Sequence, residues 1–201
     1  EPNNYISLSG EYVNSWININ ANVYSNWFRN KIEGMWSNDQ TELHYINIGK
    51  SRLAGVETMC KIQINRHINV HGAYNYLYTS KDADGVRLSS SSPHSGNIRA
   101  EYNTRIPRYA TVVNLSGNIM GKKKFDVLDE LEIDGKKVEA YYQAKVNPYC
   151  LWDLTVSQYI MQNLRITAGI TNLFDYTSDR VTFNTSTSPG RNYFIACNYT
   201  L

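Results

Sequence analysis

Apolar and polar residues alternate with a period of two along most of this chain. The second run is representative, because Ile17, Ile19 and Ala21 alternate with Asn18 and Asn20. The alternation recurs in nine segments, which lie near residues 6–12, 17–23, 54–64, 68–78, 98–105, 113–119, 152–157, 164–171 and 193–201. Successive side chains of a β-strand point to opposite faces, so this pattern predicts strands with one apolar and one polar face. No amphipathic helix competes with it, and the predicted fold class is all-β.

The connections between the predicted strands differ in length. Tight turns are predicted at 13–15, 65–67, 107–108 and 162–163, and long polar connections near 29–44, 80–96, 121–140 and 173–191. Within the third long connection, Asp134-Gly135 predicts a hairpin turn, because this dipeptide favours the type I′ conformation. Short turns at one end and long loops at the other are typical of transmembrane antiparallel β-barrels of the bacterial outer membrane, whose long loops are extracellular.

The polar positions of the predicted strands are mostly Asn, Ser and Thr. Charges of both signs are also present, at Glu57, Lys61, Arg99, Glu101, Arg105, Asp153 and Arg165. A soluble sandwich would expose this face to bulk water, where Lys and Glu usually dominate. The composition therefore favours a barrel lumen packed against another polar body. The apolar positions, including Ile19, Val70, Leu115 and Ile166, are then predicted to face lipid.

The overall composition agrees with a membrane barrel. Tyr occurs 16 times and Trp 4 times, and such amphipathic rings concentrate at membrane interfaces. Tyr76 with Tyr78, and Tyr193 with Tyr199, are predicted to belong to aromatic belts at the ends of the apolar face. The formal net charge of +2 indicates no nucleic-acid partner. The mean hydropathy of −0.47 does not argue against a barrel, since the apolar and polar residues that alternate along each strand give a low average hydropathy.

The number of predicted strands is odd. Single-chain bacterial barrels close with an even number of antiparallel strands, and unpaired sheet edges promote aggregation. We therefore expect residues 1–201 to be the C-terminal portion of a larger barrel whose earlier strands lie upstream. The chain begins at Glu1 with neither an initiator Met nor the apolar region of a signal peptide. A signal peptide is expected to have been removed or to lie far upstream.

Four motifs resemble those of TonB-dependent outer-membrane transporters, and they occur in that family's order. Residues 1–5 (EPNNY) resemble the end of its P-E-x-s-x-x-Y-E-x-G segment. Residues 47–57 (NIGKSRLAGVE) resemble its N-x-G-x-A-x-x-x-G-V-E strand. Residues 172–175 (NLFD) match the motif before the last extracellular loop, and residues 189–193 (PGRNY) match the entry to the final strand. Together the motifs extend the resemblance over the whole chain.

The resemblance implies a barrel of about 22 strands with a plug domain in its lumen. This chain would supply the last nine strands and the last four extracellular loops, while the plug and the segment that contacts the TonB complex would lie upstream. The implied function is energy-coupled import of a scarce ligand, such as a ferric siderophore, haem or a corrinoid, across the outer membrane of a Gram-negative bacterium. The implied partners are the plug, the TonB complex, outer-membrane lipids, the small-molecule ligand and a surface lipoprotein.

Few residues are candidates for ligand binding. His44 with its neighbour Tyr45, and His94, lie where long connections join strands and are the weak candidates of this sequence. His67 and His71 are predicted at or near a short turn, which is a poor place to meet an incoming ligand. No metal site is predicted, because isolated histidines without ligand spacing usually occupy ordinary loop positions.

The chain carries no recognisable catalytic motif. No nucleophile elbow, phosphate loop or HExxH sequence is present, so no catalytic residue and no cofactor is predicted. Cys60, Cys150 and Cys197 lack the spacing of a disulfide framework or a zinc site. The acidic run within 126–137 lacks the glycine that an EF-hand requires at its sixth position. An enzyme is therefore not expected.

Two other classes of function remain open from the sequence. One is a passive porin or an adhesin barrel without a plug. An importer would differ from it by having a plug and a TonB-contacting segment upstream. The other, less favoured, is a soluble β-sandwich that acts as a binding module. A barrel would differ from it by needing detergent to stay in solution.

Overall fold

A computed structural model describes residues 2–30, 32–36, 43–47, 50–80, 92–133, 136–161, 163–177 and 189–200. These residues form thirteen β-strands: β1 (Asn3–Val13), β2 (Ile17–Arg29), β3 (Ile32–Trp36), β4 (Leu43–Asn47), β5 (Lys50–Gln63), β6 (Ile68–Thr79), β7 (His94–Asn103), β8 (Thr111–Met120), β9 (Lys123–Ile133), β10 (Lys136–Val146), β11 (Tyr149–Ile160), β12 (Leu164–Thr171) and β13 (Asn192–Tyr199). Within the same residues no helix is long and apolar enough to cross a membrane.

Nine of the strands form one sheet in the order β1-β2-β5-β6-β7-β8-β11-β12-β13. Every neighbouring pair is antiparallel, and the nine strands occur in the sheet in the same order as along the chain. Each of the nine predicted segments overlaps one of these strands, so the all-β prediction is confirmed. The sheet is open, with β1 and β13 at its edges.

The remaining four strands form two hairpins inside long connections. β3 pairs with β4 between β2 and β5, and β9 pairs with β10 between β8 and β11. The sequence interpretation treated both stretches as polar connections and predicted a hairpin only in the second, with its turn at Asp134-Gly135. The pairing of β9 with β10 agrees with that hairpin. In the second, Phe125, Val127, Leu131 and Ile133 alternate with other residues, but the density of acidic residues obscured this pattern. β3 also contacts β9, so the two hairpins meet at one end of the sheet.

Asparagine side chains shape two of the short turns. The Oδ1 atom of Asn14 accepts the backbone N–H of Trp16 at 2.9 Å and of Ile17 at 3.0 Å. The Oδ1 atom of Asn65 likewise accepts the backbone N–H of His67 at 2.8 Å and of Ile68, the first residue of β6, at 2.9 Å. Such local bonds favour turns over strand continuation. Arg105, which was expected on the polar side of the fifth strand, instead lies in the turn after β7, because its φ of 53° is incompatible with a strand.

The strand register places the predicted apolar positions on one face of the sheet. Val56 of β5, for example, lies opposite Val23 of β2 and Tyr76 of β6. This face, called the apolar face, also contains Leu8, Ile19, Val70, Ala100, Leu115, Leu154, Ile166 and Ile195. The faces assigned from the alternation are therefore confirmed across all nine strands.

The apolar face has almost no protein partner. Leu8 is 78 % exposed, Val23 53 % and Ile195 81 %, whereas Val146 is the buried hydrophobic residue of the described chain. A sandwich requires a second sheet packed about 10 Å from the first, and the described residues contain none on this face. The structure thus argues against the soluble sandwich. It favours a barrel whose apolar face contacts lipid.

Aromatic rings mark both ends of the apolar face. Tyr12 and Tyr102 lie opposite Ile19 and Ile68, next to the short turns, and Tyr199 lies opposite Leu164 at the same end. Trp27, Tyr78 and Tyr193 lie at the end of the long connections. Tyr193 and Tyr199 thus belong to two different belts, one at each end of the apolar face, as a membrane-spanning barrel requires.

Candidate functional site on the polar face

The other side of the sheet, called the polar face, contains the predicted lumenal residues. Its members include Asn18, Asn20, Asn22, Glu57, Lys61, His71, Asn75, Asn97, Arg99, Glu101, Asn114, Asn118, Asp153 and Thr167. Because opposite residues of paired strands share a face, these side chains meet across strands and form short hydrogen bonds. The Nδ2 atom of Asn22 donates to Glu57 Oε2 at 3.3 Å, and Ser157 shares a 2.9 Å hydrogen bond with Thr167.

Arg99 is the best-partnered cation of the polar face. Its Nη2 atom donates to Asn114 Oδ1 at 3.0 Å and lies 3.5 Å from Glu101 Oε2. The Arg99 side chain is half exposed, and water therefore screens this ion pair strongly. The pair consequently contributes little to stability, but it neutralises charge locally. A wall of amides, hydroxyls and paired charges suits contact with a second polar surface.

A concave region lies near the middle of the polar face. It has a volume of about 400 Å³, and Asn20, Asn22, Glu57, Asn75 and Asn97 are among the residues that line it. The Oδ1 atom of Asn75 is buried there without a hydrogen-bond partner among the described residues. Buried polar atoms are usually paired. This region is therefore the part of the polar face best prepared to bind polar groups of another body.

Asn172 organises the base of the last long connection. Its side chain is almost fully buried, and its Nδ2 atom donates to the carbonyl oxygens of Tyr176 at 2.7 Å and Pro189 at 3.3 Å. Its Oδ1 atom accepts the backbone N–H of Tyr176 at 2.8 Å. Its own N–H donates to the carboxylate of Asp153 on β11 at 2.9 Å. The φ of 52° is one that Asn tolerates better than most residues.

Asp175 completes this arrangement. Its Oδ1 atom accepts the backbone N–H of Arg191 at 2.7 Å, and a Cβ atom on Gly190 would lie only 2.9 Å from that oxygen. Residues 172–175 and 189–191 thus form one unit, called the loop clasp, which joins the two ends of the connection. A side-chain hydrogen bond with Tyr193 and the nearby Asp175 carboxylate both raise the pKa of the Arg191 guanidinium, which is cationic at neutral pH in any case.

The structure does not bring the predicted ligand-binding residues together. His44 and Tyr45 lie on β4 of the first hairpin, opposite Met35 and Gly34. His94 begins β7 on the apolar face, where its Nδ1 atom lies 2.7 Å from the hydroxyl of Tyr74. His94 thus lies on the apolar face, and the predicted lumenal residues lie on the other side of the sheet. A ligand-binding role for these three residues stays a prediction.

The other candidate groups have structural explanations or lie elsewhere. The Nδ1 atom of His67 lies 2.8 Å from the carbonyl oxygen of Asn103, which ties two short turns together. Among the described residues no group of three or more His, Cys, Asp or Glu side chains could hold a metal ion. Asp134 and Gly135 lie outside the described residues, although the strands on either side of them pair as a hairpin.

Sequence reasoning missed two structural features, one at the base of the last long connection and one on the polar face. It singled out the NLFD and PGR motifs only as family signatures, while the structure shows them bonded to each other. The residue types at 172 and 175 could have indicated a turn, since Asn and Asp tolerate the positive φ that Asn172 and Asp175 adopt. The unpaired Oδ1 atom of Asn75 could not be predicted from the sequence, because its environment depends on three neighbouring strands.

Comparison with known families decides the class of this barrel. The family model described as "TonB dependent receptor-like, beta-barrel" matches residues 3–173. The chain belongs to this family. Its members named below are receptors and transporters, in agreement with the resemblance carried by the four motifs.

Solved structures of TonB-dependent receptors share the fold. The siderophore receptor PirA from Acinetobacter baumannii has a TM-score of 0.73 at 16 % identity and matches 98 % of this chain and 31 % of its own. The copper transporter OprC has a TM-score of 0.73 at 13 % identity, over 98 % of this chain and 30 % of its own. The outer-membrane ferripyoverdine receptor of Pseudomonas aeruginosa has a TM-score of 0.69 at 18 % identity, over 98 % and 26 %. The chain thus spans about a third or less of each receptor.

The sheet of the described residues is open, with β1 and β13 at its edges. In a closed receptor barrel both edges would be paired. The polar face would then line the lumen, and the loop clasp would lie at the end of the long connections.

Proposed function

We propose that this chain is the C-terminal part of the barrel of an energy-coupled outer-membrane receptor, and that the complete protein imports a scarce metal-containing ligand. The single observation that supports the proposal is that the two faces of the nine-stranded sheet differ in polarity. One face is apolar and uncovered across nine strands, and the other is polar, nearly neutral and concave. Among the ligands considered, a ferric siderophore is favoured over haem or a corrinoid, since several similar structures are siderophore receptors.

The polar face would take part in import without catalysis. Its amides and the paired Arg99 and Glu101 offer a plug domain many weak, exchangeable hydrogen bonds. Weak bonds allow the plug to be held in the closed state and to be displaced when the TonB complex pulls on an upstream segment. The long connections, stiffened by the β3–β4 and β9–β10 hairpins, would capture the ligand outside. We assign no catalytic residue and no cofactor to this chain.

The partners follow from the same arrangement. Upstream strands would pair with β1 and β13, the plug would contact the polar face, and outer-membrane lipids would cover the apolar face. One similar structure is that of the FpvAI-pyocin S2 complex. A surface lipoprotein remains a further proposed partner, which would reach the protein at the long connections.

Uptake measurements test the proposal. The full-length protein is expressed in Gram-negative cells that lack their own siderophore receptors, and import of ⁵⁵Fe is measured with a panel of siderophores. Import of at least one chelate is expected in cells with TonB and none in matched cells without it. Import that persists without TonB would establish the alternative, a passive porin. Surface adhesion without import of any chelate would establish an adhesin.

A further inference from the structure

Three cations interrupt the apolar face at the end of the long connections. Arg29 of β2 lies directly opposite Lys50 of β5, and Trp27 lies directly opposite Arg52. Like charges directly opposite each other on paired strands repel. Among the described residues none of the three forms an ion pair with a carboxylate. Within the part of the chain that the structure describes, the cluster therefore has no counter-charge to stabilise it.

Arg52 is oriented by its neighbours. Its Nε atom donates to the Oγ atom of Ser25 at 2.9 Å, and its guanidinium carbon lies 5.1 Å from the centre of a Trp27 ring. Its backbone N–H donates to Ser80 Oγ at 2.8 Å. These contacts use one edge of the guanidinium group and leave its two terminal nitrogens without a protein acceptor among the described residues. A guanidinium group held in this way binds phosphate through paired hydrogen bonds.

Two adjoining depressions meet at Arg52. One, of about 440 Å³, is lined by Trp27, Arg29, Lys50 and Arg52. The other, of about 490 Å³, is lined mainly by apolar side chains, among them Leu8, Val23, Val56 and Tyr78, and includes Arg52. Most lining residues of both lie on the apolar face. A cationic pocket thus continues into an apolar groove that runs toward the middle of the face.

We propose that this surface binds a phosphorylated acyl glycolipid of the outer leaflet, with phosphate on Arg29, Lys50 and Arg52 and an acyl chain in the groove. The charges require an anion, and the groove requires a hydrocarbon. A free phosphate ion would satisfy only the first requirement. The imported ligand is an unsuitable occupant, because its route lies on the polar face. The proposal rests on the membrane orientation proposed above.

Binding to the full-length receptor in detergent tests the proposal. The probe is lipid A in mixed micelles, with dephosphorylated lipid A and inorganic phosphate as separate arms. The variant is R29Q/K50Q/R52Q, and the matched control is R66Q/R105Q/R108Q, which removes the same charge at the short-turn end. We expect the variant to bind lipid A at least about tenfold more weakly than both the control and the unmodified receptor. Dephosphorylated lipid A should bind equally weakly to all three.

A second variant tests the groove. Ala54, which lines the groove, is replaced by Phe, which should weaken binding of lipid A and leave binding of its deacylated, phosphorylated headgroup unchanged. Heat-modifiable gel mobility identifies folded protein in every sample. Equal affinity of the unmodified receptor and the triple variant for lipid A would overturn the proposal. Competition by inorganic phosphate at the concentration of lipid A would overturn it too, because it would establish a free-anion site.

The test is independent of transport. Lipid binding needs neither TonB nor a siderophore, so loss of lipid A affinity is measured apart from ⁵⁵Fe uptake. Unchanged uptake together with equal lipid binding by all variants would refute only the lipid site. Selective lipid A binding by a receptor that imports nothing would refute only the proposed import.

Discussion

The carboxylate of Asp175 accepts the backbone N–H of Arg191 at 2.7 Å, although the two residues are sixteen positions apart in the chain. The bond joins the start and the end of the last long connection. Asn172 contributes to the same closure by donating to the carbonyl oxygen of Pro189. The loop clasp therefore holds the base of a loop that the proposed function requires for ligand capture.

Asn172→Ala should destabilise the complete barrel. The substitution removes hydrogen bonds to Tyr176 and Pro189 within an almost fully buried site. At about 1 kcal/mol for each bond lost, the expected cost is about 2–3 kcal/mol. The same change at Asn118, which is exposed on the polar face, should cost less than about 0.5 kcal/mol. Denaturant-dependent loss of heat-modifiable mobility measures both, and equal costs would contradict the role of the clasp.

Arginine on the apolar face should impair assembly. At Ile19, Val70, Leu115 or Ile166 the charge would enter hydrocarbon, at a cost of about 2–4 kcal/mol near the midplane. Arginine at Asn20, which is next to Ile19 on the polar face, should impair assembly far less, because this face meets polar groups and not hydrocarbon. Heat-modifiable mobility of membrane extracts measures assembly. Equal sensitivity at Ile19 and Asn20 would exclude the assigned orientation.

The two ends of the sheet should differ in accessibility on intact cells. An epitope beside Asp134-Gly135, between β9 and β10, should be labelled from outside, since this hairpin belongs to a long connection. An epitope at Pro107-Arg108, in the short turn between β7 and β8, should be labelled only after the outer membrane is permeabilised. Antibody labelling with and without permeabilisation measures both. The reverse result would invert the proposed topology.

Residues 1–201 alone should not form a stable monomeric barrel. The sheet ends at β1 and β13, whose outer edges present unpaired backbone groups. In lipid such groups find no water, and each costs several kcal/mol when unsatisfied. Refolding in detergent, followed by limited proteolysis and mass measurement, should give a resistant species only when a fragment with the upstream strands is added. A resistant monomer of this chain alone would refute the proposal that it is part of a larger barrel.

The amino-acid sequence by itself determined the nine strands of the large sheet, their two faces and the two ends of that sheet. Ile19 and Asn20 could be assigned to opposite faces because side-chain direction in a strand depends only on position along it. The length difference between the turn at 65–67 and the connection near 173–191 is likewise a local property. The motifs at 172–175 and 189–193 indicated the family, although nothing in them revealed that they bond to each other.

Only the tertiary structure decided which residues meet. Arg29 and Lys50 are separated by a hairpin, and the register of β2 on β5 places them opposite each other. The register of β13 on β12 likewise places Tyr193 opposite Ile170 and Tyr199 opposite Leu164, at opposite ends of the apolar face. The physical reason is that register depends on hydrogen bonds between distant segments and on turn geometry. The alternation of apolar and polar residues within one strand predicts neither the pairing of distant segments nor the geometry of the turns.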